Sequence, residues 1–344
     1  MHPKEKLAEP KVDTLPSGQK IADLVWGFAP TQAAAAAVEL DLFSLIAQGM
    51  SGASELAKAS GTQARGLTML LDALVGMGLL DKQKGRYALT PEAEAYLVKG
   101  KDSYMGWFFQ HSSDMMQGWG RLPEILRAGK PVRPVDGQGA SEEFFPPLVR
   151  ALHVSHLPAA RNLARKLGVG ARWRGLKILD VAAGSGVWSI AALEEDPSAT
   201  ATALDWPRVL DVAREFAAKH GVDDRFSTLE GSWRETPLEE NTYDLALLGH
   251  ICHAEGEEAS REFLRRLCPA LRPGGKAVVL DMVPNDERTA PAFPLLFALN
   301  MLVHTERGGT YTLEEYGRWF SEAGFKKVEA VDIRSHSPAI VASK

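Results

Sequence analysis

Apolar residues recur at mostly three- or four-residue steps from Ile21 to about Ile46, at Val25, Phe28, Ala36, Leu40, Phe43 and Ile46, which predicts a helix there. Two shorter helical segments follow. One starts near Ser51 and carries Leu56 and Ala57. The other, capped by Thr62, carries Leu67, Leu70, Leu71, Leu74 and Val75 and stops at Gly76 and Gly78. Residues 79–89 read as a hairpin turning at Lys84-Gly85. Thr90 then caps another helix whose first position is Pro91. Three helices and a hairpin make a winged helix, expected over residues 18–102 behind a loose polar arm containing Pro10 and Pro16. Residues 103–172 form a helical connector with a loop at 131–137. It is rich in aromatics, Met and His, among them Trp107, Phe108, His111, Met115, Trp119, Phe144, Phe145, His153 and His156. Most of these suit packing, and some suit a pocket for a flat apolar molecule.

From residue 173 to 344 the pattern changes. Strand candidates at 177–181, 200–204, 226–229, 243–248 and 277–282 are separated by helical stretches such as 188–193, 209–219 and 259–271. That alternation predicts an α/β fold with a parallel sheet covered on both faces. Two further strands, 328–333 and 339–342, are joined by only Arg334-Ser335-His336-Ser337-Pro338. So short a link excludes a parallel crossover, and the last strand is expected to run antiparallel to its neighbour.

The 344 residues suffice for about two domains. A net charge of −5 argues against a general nucleic-acid binder. The third helix of the winged helix, 66–75, lacks the basic face that reads DNA, so its apolar surface is expected to pack against another subunit or domain. Two cysteines, Cys252 and Cys268, make no disulfide framework and suit a reducing cytoplasm. The polar start Met1-His2-Pro3-Lys4-Glu5-Lys6 is no secretory signal, and no apolar run is long enough for a membrane span.

The sharpest motif is Ile178-Leu179-Asp180-Val181-Ala182-Ala183-Gly184-Ser185-Gly186-Val187-Trp188, an apolar strand followed by a glycine-rich turn into a helix. Ala182, Gly184 and Gly186 let the backbone approach a ligand closely. A dinucleotide fingerprint needs Gly or Ala at position 189, where Ser189 stands. Asp180 suits a cofactor with an ammonium group better than a pyrophosphate. S-adenosylmethionine meets both conditions. Asp205, about 20 residues past the turn, is placed to accept ribose hydroxyls, with Trp206 beside the adenosine; a helix cap is the other reading of Asp205. Gly231-Ser232-Trp233 offers a hydrogen bond and an aromatic ring for adenine, unless Trp233 simply covers the core. The fourth strand runs into Gly249-His250-Ile251-Cys252-His253-Ala254-Glu255, where two histidines compete for general-base work. Neighbours on a strand face opposite sides, so no metal site is expected among them.

The glycine turn, Asp205-Trp206-Pro207, Gly231-Ser232-Trp233 and Leu271-Arg272-Pro273-Gly274-Gly275-Lys276 resemble the S-adenosylmethionine-dependent small-molecule O-methyltransferases, which include plant phenolic, acetylserotonin and bacterial polyketide enzymes. The resemblance extends through Leu299–Val303, Thr312–Tyr316 and Glu322–Phe325. It implies a Rossmann-like class I methyltransferase sheet of seven strands, the last reversed, and a homodimer formed through the N-terminal domain. It also implies a small-molecule acceptor, without nucleic acid or membrane. The family's Leu-His-Asp-Trp pattern falls on Cys252-His253-Ala254-Glu255, which implies His253 as the base and leaves His250 to touch cofactor or substrate. Three family positions are departed from. The acid after the base is Ala254, a second acid is Thr310, and an adenine-contacting lysine is Gly249. C- or N-methylation on the same scaffold, and a regulator sensing S-adenosylmethionine, are the alternatives.

Overall fold

A computed structural model describes residues 18–109, 112–132, 134–135 and 138–344. The expected N-terminal arm, His111 and parts of the 131–137 loop lie outside the described residues. The chain divides into two compact units, one ending at Glu94 and the other starting at Ala95.

The first unit contains α1 (Gln19–Trp26), α2 (Ala29–Glu39), α3 (Leu42–Ala47), α4 (Ala53–Ala59), α5 (Ala64–Gly76), a hairpin of β1 (Leu80–Gln83) and β2 (Arg86–Leu89), and the start of α6 (Pro91–Tyr96). The single helix expected from Ile21 is thus three. Pro30 near the start of α2 removes an amide that a continuous helix would need, and Asp41 adopts φ 56° ahead of α3. Thr62 does not cap α5. Gln63 holds the cap position, and the Thr62 hydroxyl bonds Ser60 instead. The hairpin turns where expected, with Lys84 and Gly85 both at positive φ. Leu42, Phe43, Leu56, Leu71 and Leu74 form the interior. α1 buries nothing. Its Ile21, Leu24, Val25 and Trp26 are 64–69% exposed.

In the second unit, α7 (Ser112–Gly120) and α8 (Leu122–Ala128) precede α9 (Gln138–Leu167), a helix of 30 residues. The sheet follows as β3 (Lys177–Val181), α10 (Val187–Glu195), β4 (Thr200–Asp205), α11 (Pro207–Lys219), β5 (Phe226–Glu230), β6 (Tyr243–Gly249), α12 (Cys252–Glu255), α13 (Glu257–Ala270) and β7 (Leu271–Leu280). Then come α14 (Ala292–His304), α15 (Leu313–Glu322), β8 (Lys327–Val331) and β9 (Ala339–Ser343). Strand order is β5-β4-β3-β6-β7-β9-β8. The strands β3 to β7 pair in parallel, and β9 is antiparallel to both its neighbours, β7 and β8. β7 begins at Leu271, ahead of the expected start, because the Pro273-Gly274-Gly275 segment is a detour within the pairing with β6. Apolar side chains fill both faces of the sheet. One cluster centres on Ile178, Ile190 and Val278 against α9, α10 and α11. The other centres on Leu179, Leu264 and Phe320 against α13 and α15. The strand order reverses between β3 and β6, and the crevice beyond the carboxyl ends of those strands is where ligands bind in such sheets.

Candidate active site

The backbone leaves β3 through Ala182, Gly184 and Gly186 with φ of 50°, 58° and 71°. Glycine takes this region without steric cost, and a Cβ on Gly186 would lie 2.9 Å from the Phe226 ring. Asp205, at the end of β4, accepts the Gly184 N–H at 2.8 Å and its neighbour Trp206 N–H at 2.7 Å. Helix α11 has Trp206 at its cap position and no side-chain cap, so the Asp205 carboxylate holds the glycine turn rather than α11. Each of its oxygens keeps a lone pair for a further donor. Burial pushes Asp205 up to about 6.

Asp180 stands apart from the rest of this group. It is 0% exposed, and one oxygen accepts the Ser189 hydroxyl at 2.6 Å and the Ser189 N–H at 3.2 Å, tying β3 to the first turn of α10. Its other oxygen has no partner among the described residues, and burial pushes the carboxyl up to about 7. Gly231 takes φ 145° and donates its N–H to the Asp205 carbonyl at 3.1 Å, so the loops after β4 and β5 are joined. The Ser232 hydroxyl accepts the Arg234 N–H. Trp233 packs edge-on against Phe263 at 4.7 Å with the Arg234 guanidinium over its other side, and Trp206 is half-buried against the sheet core.

Across the crevice, β6 ends at Gly249 and His250 follows at φ 60°. His253 lies on the short α12 and is 8% exposed. Its Nδ1 is 2.6 Å from Asp281 Oδ1, and its N–H donates to Asp281 Oδ2 at 3.0 Å. Tyr316 donates its hydroxyl to the same Oδ2 at 2.8 Å. Burial works to raise Asp281. The charge and hydrogen bond of His253, together with His250 and Tyr316, outweigh it and hold the carboxyl below its ordinary value. With Nδ1 turned to Asp281, Nε2 is the ring nitrogen of His253 left for another partner. The Phe297 ring stands perpendicular to His253 at 4.9 Å and fixes its plane.

Asp281 is the residue the sequence reading missed. It sits one position past β7, inside a stretch read as strand, and its pairing with His253 spans 28 positions. The available signal was an acid at the carboxyl end of a parallel strand, the same placement that singled out Asp205. The acid absent at Ala254 is thus supplied from the neighbouring strand.

The other departures have structural causes too. A Cβ at Gly249 would lie 2.4 Å from the Trp188 indole nitrogen, so Trp188 fills the space a lysine would need. The segment ahead of Thr310 lies against His253, with the Gly309 N–H on the His253 carbonyl, and the buried Thr310 hydroxyl has no partner. His250 stacks on His156 of α9 at 4.5 Å, and burial, reinforced by His156, lowers it well below the usual histidine range. Burial also lowers His156, to about 4. One turn away on α9, His153 stacks on Phe216 at 3.7 Å and contacts Ser185 of the glycine turn at 3.1 Å, so its role is to pack and brace. A cavity of about 370 Å³ opens among α7, α8, α9 and α14, lined by Met115, Ile125, Val135, Phe144, Val303 and His304. It is not at His253. Helix α14 links the two, carrying Phe297 near its middle and His304 at its end, about 10 Å further on.

Residues 172–326 match the O-methyltransferase domain family and residues 22–99 the O-methyltransferase dimerisation domain family. A 3-hydroxy-5-methyl-1-naphthoate 3-O-methyltransferase of Streptomyces sahachiroi is 32% identical over 92% of this chain and 91% of its own length. The chain belongs to the O-methyltransferase family. Mouse acetylserotonin O-methyltransferase is 29% identical over 94% of this chain and 88% of its own. Among solved structures, PigF with SAH superposes with a TM-score of 0.84 at 25% identity over 96% of this chain and 100% of that one. This O-methyltransferase therefore uses S-adenosylmethionine and acts on hydroxyls of small molecules, and its fold is the class I methyltransferase fold. The residues fit that cofactor. The turn after β3 is built from small residues, and an acid with free lone pairs stands at the end of β4. Among the described residues no helix is long and apolar enough to cross a membrane.

Proposed function

We propose that this O-methyltransferase methylates a hydroxyl of a planar, largely apolar aromatic acceptor, with His253 as general base and Asp281 as the carboxylate that orients it. The observation that carries this reading is the 2.6 Å contact between His253 Nδ1 and Asp281 Oδ1 at the crevice. Bound S-adenosylmethionine supplies the methyl group and, as a sulfonium, the leaving group. His253 Nε2 takes the hydroxyl proton. Asp281 stabilises the imidazolium that results, and Tyr316 and the backbone hold Asp281 in turn. The buried surroundings exclude water and strengthen that pairing.

Gly184, Gly186 and Ala182 provide the close backbone approach for the cofactor, Asp205 accepts its ribose hydroxyls, and Gly231 and Ser232 border the adenosine. Asp180 supports the turn from behind through Ser189. Trp206 flanks the adenosine, and Trp233 serves by shaping the loop. His156, His250 and Phe297 offer aromatic faces to a flat acceptor. Residues 103–172 act as the acceptor-shaping connector between a dimerisation domain at 18–102 and a catalytic domain at 173–344. The exposed apolar α1 and the dimerisation-domain match support a homodimer. Two free, buried cysteines support a cytoplasmic setting.

The test is a transfer assay with methyl-labelled S-adenosylmethionine against a panel of phenols, naphthols and matched anilines. Label on oxygen of the aromatic alcohols is the expected result. Label confined to nitrogen or carbon would overturn the hydroxyl assignment.

A further inference from the structure

On an extended strand His250 and Cys252 would face one side and His253 the other, which is why their spacing alone offers no metal site. The fold cancels that alternation. His250 leaves β6 with a left-handed backbone and His253 sits in a helical turn, so the two imidazoles converge with ring centroids 6.1 Å apart. A ligand atom from each of His250, His253 and Asp281 lies within 4.8 Å of the others. Cys252 turns away into the core beneath α13. His250 Nδ1 is buried with no hydrogen-bond partner among the described residues. Leaving such an atom unmet is costly, and a left-handed backbone at a non-glycine residue adds to that cost.

We propose that His250 and His253 form a binding site for a divalent transition-metal ion of the Zn²⁺ class, with Asp281 as the carboxylate behind His253. All four hydrogen bonds on Asp281, from the N–H and ring of His253, the Met282 N–H and Tyr316, stay in place. His253 therefore offers Nε2, and His250 offers its free Nδ1. A carboxylate on the far nitrogen of a ligating histidine is the usual support for such a site. Two imidazoles suit Zn²⁺, Co²⁺ and Ni²⁺. The ion occupies the same Nε2 lone pair that would take the acceptor's proton, so it blocks methyl transfer. That consequence rests on His253 being the base; the binding itself does not.

The experiment titrates chelator-stripped protein with Zn²⁺ in competition with a chromophoric chelator, and with Co²⁺ followed by its visible absorption. The expected result is one ion per chain, with a Co²⁺ band showing nitrogen ligation. His250→Asn weakens binding at least about tenfold, the lower end of what even an outer partner contributes. Asparagine tolerates the left-handed backbone, and a cooperative melt in chelator verifies that the variant is folded. His220→Ala is the control, because His153 and His220 form another close pair with their Nε2 atoms 3.0 Å apart, and it should leave the titration unchanged. Equal Zn²⁺ affinity in His250→Asn and the parent protein, loss of the ion in His220→Ala, or no stoichiometric ion would each overturn the site. Methyl transfer in chelator reports on the catalytic reading separately. Transfer in chelator without any ion binding sinks only the metal site, and Zn²⁺ binding without inhibition sinks the sharing of Nε2.

Discussion

The two halves of the crevice are built by opposite strategies. The half after β3 and β4 is assembled from neighbours in sequence: a run of small residues, and one carboxylate about 20 positions on that holds the run in shape. The half after β6 and β7 is assembled from distant parts, with His253, Asp281, Tyr316 and Phe297 each on a different element. A backbone cradle demands particular residues in a particular order, whereas a base needs only a carboxylate at the right point in space. The second half therefore tolerates departures such as Ala254 that the first would not.

Tests that separate the two halves start with the largest effect. His253→Ala should lower kcat by about 10²–10⁴-fold while the cofactor dissociation constant stays nearly constant; near-normal turnover would remove His253 as base. Asp281→Asn should lower kcat by roughly 10²-fold, within the range for a misplaced general base, with little change in KM. A loss of folded, cofactor-binding protein equal to the loss of kcat would make Asp281 a folding residue only.

Asp205→Ala belongs to the other half and should weaken S-adenosylhomocysteine binding by about 1–3 kcal/mol, the worth of charge-assisted hydrogen bonds. Calorimetry showing unchanged affinity would refute its ribose role. The last test concerns Asp180 and reads stability rather than turnover or binding. Its carboxyl is raised to about 7 by burial. Below its unfolded value near 3.8 both states are protonated; as pH rises toward 7 the unfolded chain has lost a proton that the folded one still holds, so stability falls. Asp180→Asn should accordingly gain on the parent protein by about 1–4 kcal/mol between pH 4 and 7, at 1.4 kcal/mol per unit, and the gap should flatten above pH 7. Parallel pH profiles of the two denaturation midpoints would refute the assignment.

The sequence is a good guide wherever structure follows from local pattern. Alternating strands and helices, the hairpin at Lys84-Gly85 and the reversal of β9 all rest on residues within a few positions of each other. The helix from Ile21 failed locally as well, because periodicity continues smoothly through Pro30 and Asp41 while the backbone does not. Asp205 was legible because its spacing from the turn is fixed by one βα unit. Asp281 was not, since nothing near it in the chain names its partner. The convergence of His250 with His253 was hidden for a related reason: it depends on one left-handed residue, which a strand pattern conceals.

Helix α9 touches both halves at once. His156 lies against His250 on one side, and His153, three residues earlier, reaches Ser185 on the other. A single rigid turn thus grips His250 and the glycine turn together, like a rocker arm with two contacts. Any free energy that acceptor binding lends to cofactor binding through this arm must be returned in equal measure, so the order in which the two partners arrive cannot alter the total.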